Sequence, residues 1–136
     1  MDSEKSSKFL PLSEREEEIG KIIVNSAFKV HKALGPGLLE KIYEICFVYE
    51  LHKAGLNAVR QIDLPVRYDG MIFEEGLRLD VFVENLVIVE IKAVEQVNPL
   101  WSAQVLSHLN LTGKRLGYLI NFNVELIKNG IKRIIN

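Results

Sequence analysis

The chain has 136 residues, 48% hydrophobic and 26% charged, which suits one soluble globular domain built around one core. Its apolar runs are too short to span a bilayer, and its single cysteine, Cys46, rules out an internal disulfide or a multi-cysteine metal cluster. A net charge of −1 does not advertise a nucleic-acid partner, and the polar start MDSEKSSKFL lacks an apolar signal segment, so a cytoplasmic protein is expected.

The charge is uneven along the chain. Of 18 acids and 17 bases, six acids and three bases fall in residues 1–18, which leaves 12 acids and 14 bases beyond. Residues 1–12 are therefore predicted as a flexible acidic leader, and residues 13–136 as a single, mildly basic domain. Ser13 followed by Glu16 is a capping-box signature, and Ile19, Ile22, Ile23, Ala27, Val30 and Leu34 recur at helical spacing. A helix over 14–34 follows, ended by Gly35-Pro36-Gly37. A second helix is predicted over 38–54, its apolar side made of Leu39, Ile42, Cys46, Phe47 and Leu51, with Cys46 read as a buried structural thiol. His31 and His52 fall on these helices as ordinary surface or boundary residues.

The period then changes. Ile62, Leu64, Val66 and Tyr68 alternate with polar or turn residues, as in a half-buried strand. Asp69-Gly70 signals a tight turn into a strand over about 71–83, with a break expected near Gly76. Asn85 marks another turn, and LVIVEIKAV reads as a central strand covered on both faces. Asn98-Pro99 caps a helix over about 99–112, ended by Gly113. RLGYLINF is one more buried strand, and Asn129-Gly130 in the tail reads as the turn of a short hairpin, with a final helix as the alternative. This order predicts one α/β domain with a mixed sheet.

The chemistry concentrates in RLDVFVENLVIVEIKA, residues 78–93. Glu90 and Lys92 are two apart on a strand and share a face, while Val87, Val89 and Ile91 take the other. A carboxylate on a buried strand needs a partner, and a buried ion pair is rarely worth its desolvation. A divalent cation suits the position better, because Mg2+ takes one or two carboxylates and fills its shell with waters and phosphate oxygens. Asp80, on the preceding strand, is the candidate second carboxylate. A two-residue turn at Glu84–Asn85 would set Asp80 opposite Val89 and put Glu90 on the far face. Only an odd loop, such as three residues centred on Asn85, or a bulge brings Asp80 and Glu90 together. The plainer reading is a pair of rim carboxylates facing water. Glu40 and Tyr43 lie three apart in the first turn of a helix, where an acid is favoured by the helix dipole anyway. Gln104 and His108 share a face of the later helix.

The set G-x-x-E-x-x-Y (Gly37, Glu40, Tyr43), D…E-x-K (Asp80, Glu90, Lys92), AQVLSHLNLTGKRLGYLINFN and NGIKRI resembles the GxxExxY family, which is placed in the PD-(D/E)xK nuclease-like superfamily. The resemblance runs from about Ile19 to Asn136. It implies a restriction-endonuclease-like core of helix, three strands, helix and strand, with a mixed sheet, flanking helices and an extra N-terminal helix. It also implies Mg2+, with Mn2+ as a substitute, held by Asp80, Glu90 and the Ile91 carbonyl. Lys92, Glu40 and Gln104 would be the other catalytic residues, with His108 and Tyr43 as substrate contacts. His108 stands where related nucleases often carry tyrosine. The implied activity is phosphodiester hydrolysis of DNA or RNA away from any membrane. An inactive nucleic-acid-binding or assembly module of the same fold is the alternative, and a homodimer would enlarge the basic surface of either.

Overall fold

The computed structural model describes residues 10–136. Most of the expected leader therefore lies outside the described residues. Its last part, residues 10–12, is tied to the domain, because the Arg115 guanidinium donates to the Leu10 and Pro11 carbonyls at 2.9 and 3.0 Å.

Helix α1 spans Glu14–Leu34, and the capping box is present in both directions: Ser13 Oγ accepts from the Glu16 N–H at 3.1 Å, and the Glu16 carboxylate accepts from the Ser13 N–H at 2.9 Å. Helix α2 spans Glu40–Lys53, and the long hairpin of β1 (Ala58–Tyr68) and β2 (Met71–Val83) leads into β3 (Val87–Lys92). Helix α3 (Leu100–Thr112) starts where Asn98 Oδ1 accepts from the Leu100 N–H. It stops at Gly113, whose φ of 70° lies in the left-handed region that glycine enters at no steric cost. Strand β4 (Leu116–Asn121), a 3-10 turn over Ile127–Asn129 and β5 (Ile131–Ile135) complete the chain.

The five strands lie in the order β1-β2-β3-β4-β5, with β3 and β4 parallel and the other neighbours antiparallel. The expected tail hairpin does not form by itself. Asn129 ends the 3-10 turn, and β5 pairs instead with the open edge of β4, from Leu116↔Ile135 to Ile120↔Ile131. Gly76 marks a bulge rather than a break: the register shifts between Leu64 and Val66, and a Cβ on Gly76 would stand 2.6 Å from that of Val66.

Helices α1 and α2 cover one face of the sheet and α3 the other, giving three layers with a core on each side. Ile19, Ile23, Tyr43, Phe47 and Leu51 pack on Val81, Val83, Val87, Val89 and Ile91. Val105 and Leu109 of α3 pack on Leu79, Phe82, Ile88 and Leu119. The continuous apolar run of β3 thus serves two cores at once, as a central strand must. The expected stripe of α2 is rotated, since Tyr43, Glu44, Val48, Phe47 and Leu51 are buried while Leu39 and Ile42 are 74% and 40% exposed. Cys46 is half-buried at the edge of this core. His31 is buried, with Nε2 2.7 Å from the Val124 carbonyl, and His52 stays exposed. No described helix is long and apolar enough to cross a membrane.

Candidate metal centre

The parity of the turn at Asn85 decides whether a site exists. Strands β2 and β3 pair as Val83↔Val87, Phe82↔Ile88 and Val81↔Val89, so the loop holds three residues, Glu84, Asn85 and Leu86. Glu84 and Asn85 both have positive φ, 52° and 54°. The Glu84 carboxylate is anchored by Arg15 of α1 and by the Asn57 N–H. The same register carried one step further sets Asp80 opposite Glu90, on the α3 side of the sheet with Ile88 and Lys92.

At that step the ladder opens. No backbone pair between β2 and β3 follows Val81↔Val89, and Asp80 fills the gap with Oδ2 accepting from the Ile91 N–H at 2.9 Å. N–H and C=O of one strand residue point to the same side. The Lys92 carbonyl turns the other way, toward Phe122 of the β4 side, so the Ile91 carbonyl is aimed with its N–H toward Asp80.

The electrostatics follow from burial. The Glu90 and Lys92 side chains are only 17% and 20% exposed, and Lys92 Nζ lies 3.7 Å from Glu90 Oε1. Burial first, and then the negative charge of Asp80, push Glu90 up to about 8, against the pull of Lys92. Glu40, at the start of α2, lies within electrostatic reach of Asp80 and Lys92 and is also raised, by burial first and Asp80 second. Three carboxylates facing one ammonium leave an excess of two negative charges, and a divalent cation matches it. Among the described residues no three His, Cys, Asp or Glu side chains converge to hold a metal by themselves. The two carboxylates and the carbonyl gathered here are all oxygen, the donor type that a hard divalent cation prefers.

Helix α3 forms the rim. Gly117 lets it approach β4, since a Cβ there would stand 2.9 Å from Val105 Cγ1. Burial lowers the pKa of His108, and the Asp80 charge only partly opposes this. Its Nδ1 is buried with no hydrogen-bond partner among the described residues. Gln104, one turn earlier, is exposed and has no side-chain hydrogen bond among the described residues. Trp101, unrecognised from the sequence, belongs to this face. Its ring lies under the Lys92 ammonium, 4.4 Å from centroid to Nζ. The signal was the spacing of Trp101, Gln104 and His108 at i, i+3 and i+7.

The substrate contact expected of Tyr43 is unavailable. Tyr43 is fully buried, its ring stacks on Phe122 at 4.8 Å, and its hydroxyl donates to the Gly35 carbonyl at 2.6 Å and accepts from the Leu38 N–H at 3.0 Å. It pins the loop that presents Glu40. Tyr43→Phe should lower stability by about 1–2 kcal/mol, read from chemical denaturation, because it strands two backbone groups.

A model of the PD-(D/E)XK nuclease superfamily matches residues 17–134. The chain belongs to the PD-(D/E)XK nuclease superfamily. No curated protein and no solved structure matches it. The five-stranded mixed sheet flanked by helices is consistent with the restriction-endonuclease-like fold of that superfamily, whose members are generally divalent-metal dependent and act on nucleic acid. A cavity of about 540 Å3 lined by Glu17, Gly20, Tyr118 and Arg133 contains none of the site residues of this PD-(D/E)XK domain. The cluster of Asp80, Glu90 and Lys92 lies elsewhere, at the open end of β2 and β3.

Proposed function

We propose that this PD-(D/E)XK protein is a Mg2+-dependent nuclease that hydrolyses phosphodiester bonds of DNA or RNA, and that it falls in the GxxExxY branch through Gly37, Glu40 and Tyr43. The observation that carries this reading is the three-residue loop at Asn85, which sets Asp80 and Glu90 on one face beside Lys92. Asp80, Glu90 and the Ile91 carbonyl would hold the cation. A bound cation would polarise the phosphoryl group and lower the pKa of its water.

The protein's own groups divide the remaining work. Lys92, held between Glu90 and Trp101, stabilises negative charge as it grows on the phosphate. Glu40, with its raised affinity for a proton, is an acid–base group within electrostatic reach of Asp80 and Lys92. Gln104 is exposed and can bond a phosphate oxygen, and His108 faces the same rim.

The deciding experiment incubates the protein with single- and double-stranded DNA and RNA, with Mg2+, with Mn2+ and with chelator. Cation-dependent cleavage supports the nuclease. The net charge of −1 favours one other reading, a binding or assembly module that keeps the fold without turnover. Retention of nucleic acid without cleavage would establish that module, and sedimentation of the same complexes reports whether two copies bind together. Trp101 is the sole tryptophan, so its emission reports the site directly. Lys92→Met should shift or brighten that emission, and an unchanged spectrum would remove Trp101 from the Lys92 environment.

A further inference from the structure

Strand β1 is distorted at one residue in a way that its turns do not require. Pairing with β2 runs Arg60↔Val81 and Ile62↔Leu79, which sets Gln61 opposite Asp80. Gln61 has a φ of 51°, a left-handed conformation that a non-glycine residue in mid-strand rarely adopts. Both strands change face there. Ala58 of β1 and Val81 of β2 belong to the core under α1 and α2, whereas Ile62, Leu64 and Leu79 belong to the core under α3. Regular alternation would have kept Ala58 with Ile62 and Val81 with Leu79.

One buried carboxylate holds this kink. Glu44 of α2 is 3% exposed, and its Oε1 accepts from Gln61 Nε2 at 2.9 Å. Its Oε2 accepts from Arg60 Nε and Nη2 at 3.0 and 2.7 Å. The side chains of two consecutive strand residues therefore converge on one acid, although neighbours in a regular strand point to opposite faces. Glu44 also lies one helical turn from Glu40 and adds to its raised proton affinity. The kink thus connects the helix carrying Glu40 with the strand carrying Asp80.

We propose that Gln61, locked in the left-handed conformation by Glu44 and Arg60, is a positioning residue for Asp80. The kink turns β2 at Asp80, so that its carboxylate leaves the regular ladder and takes the Ile91 N–H at the mouth of the cation site. The inference rests on the cation-site reading for its purpose, but its geometry can be tested without metal or activity.

The test compares wild type, Gln61→Gly and Glu44→Gln. Glycine accepts the left-handed conformation without strain, so Gln61→Gly should fold with an equal or higher melting midpoint while losing its tie to Glu44. In the metal-free protein, amide exchange at Ile91 should accelerate about tenfold relative to Val89, whose ladder partner is Val81. Mn2+ affinity measured by calorimetry should fall about tenfold, as when a partner of a ligand is removed elsewhere. Glu44→Gln keeps an acceptor for Gln61 and should lie between the two. Unchanged Ile91 protection in Gln61→Gly would overturn the proposal, whatever the cation arm shows. So would a large loss of stability in Gln61→Gly, which would make Gln61 a support of the whole sheet. If wild type binds no Mn2+, the nuclease reading fails, and the exchange arm still decides the positioning role.

Discussion

Lys92→Met should lower phosphodiester cleavage by about 10²–10³-fold, the loss typical of removing one preorganised charge donor from an active site. Methionine keeps the aliphatic stem and its packing, so the change isolates the ammonium. That ammonium is fixed from two sides, 3.7 Å from Glu90 Oε1 and 4.4 Å from the centre of the Trp101 ring. Both neighbours hold it near the carboxylate pair where a phosphate would sit. Lys92→Arg should recover only part of the rate, because a planar guanidinium does not place its charge where a compact ammonium does. The decisive measurement is single-turnover cleavage at saturating Mn2+, beside a melting curve. A Lys92→Met enzyme with wild-type turnover would remove Lys92 from the chemistry.

The second large effect concerns stability. In chelator, the protein should become less stable as pH rises from about 4.5 toward about 8. The Glu90 carboxyl titrates near 4.5 when unfolded and near 8 when folded, so the folded state binds its proton more tightly. The stabilisation is fully present below about 4.5 and is lost as pH rises through about 8. Glu40 shifts in the same direction and adds to the trend. At about 1.4 kcal/mol per tenfold in proton affinity, the loss is on the order of 3–5 kcal/mol, or roughly 10–20 °C in melting midpoint for a domain of this size. Mg2+ added at pH 8.5 should return much of it by binding only the folded state. Glu90→Gln should flatten the pH profile and abolish the response to Mg2+. A wild-type midpoint that does not fall between pH 5 and 8.5 would mean that Glu90 is not buried beside Asp80 as the structure has it.

Local chemistry made much of the architecture readable in advance. The bounds of α1 follow from the Ser13–Glu16 box and the Gly35-Pro36-Gly37 stop, both short-range devices. Asn98 and Gly113 bracket α3 for the same reason. The residue types of the site were also legible, because carboxylates and an amine among valines and isoleucines need an explanation wherever the strands lie. Helix α2 was harder. Its apolar and polar residues are interspersed around the helix, so its sequence offers no unique stripe, and Glu44 is buried because Arg60 and Gln61, on a strand later in the chain, supply its partners. The tail failed for a similar reason: Asn129-Gly130 is a good turn signal, but the edge of β4 is the better partner for β5.

By itself, then, the sequence determined the order of helices and strands, the two-sided burial of β3 and the set of Asp80, Glu90 and Lys92, since each depends on residue type and on a period of 2 or 3.6. Tertiary structure decided whether those residues meet. A loop of two or three residues at Asn85 was equally open to local chemistry, and the two choices put Glu90 on opposite faces. The three-residue loop is held by contacts distant in the chain, Arg15 and Asn57 on the carboxylate of its first residue, Glu84, and the turn of β2 at Asp80 coincides with a strained Gln61 tied to Glu44 of α2. No sequence period encodes such contacts, because they exist only after the helices have docked on the sheet.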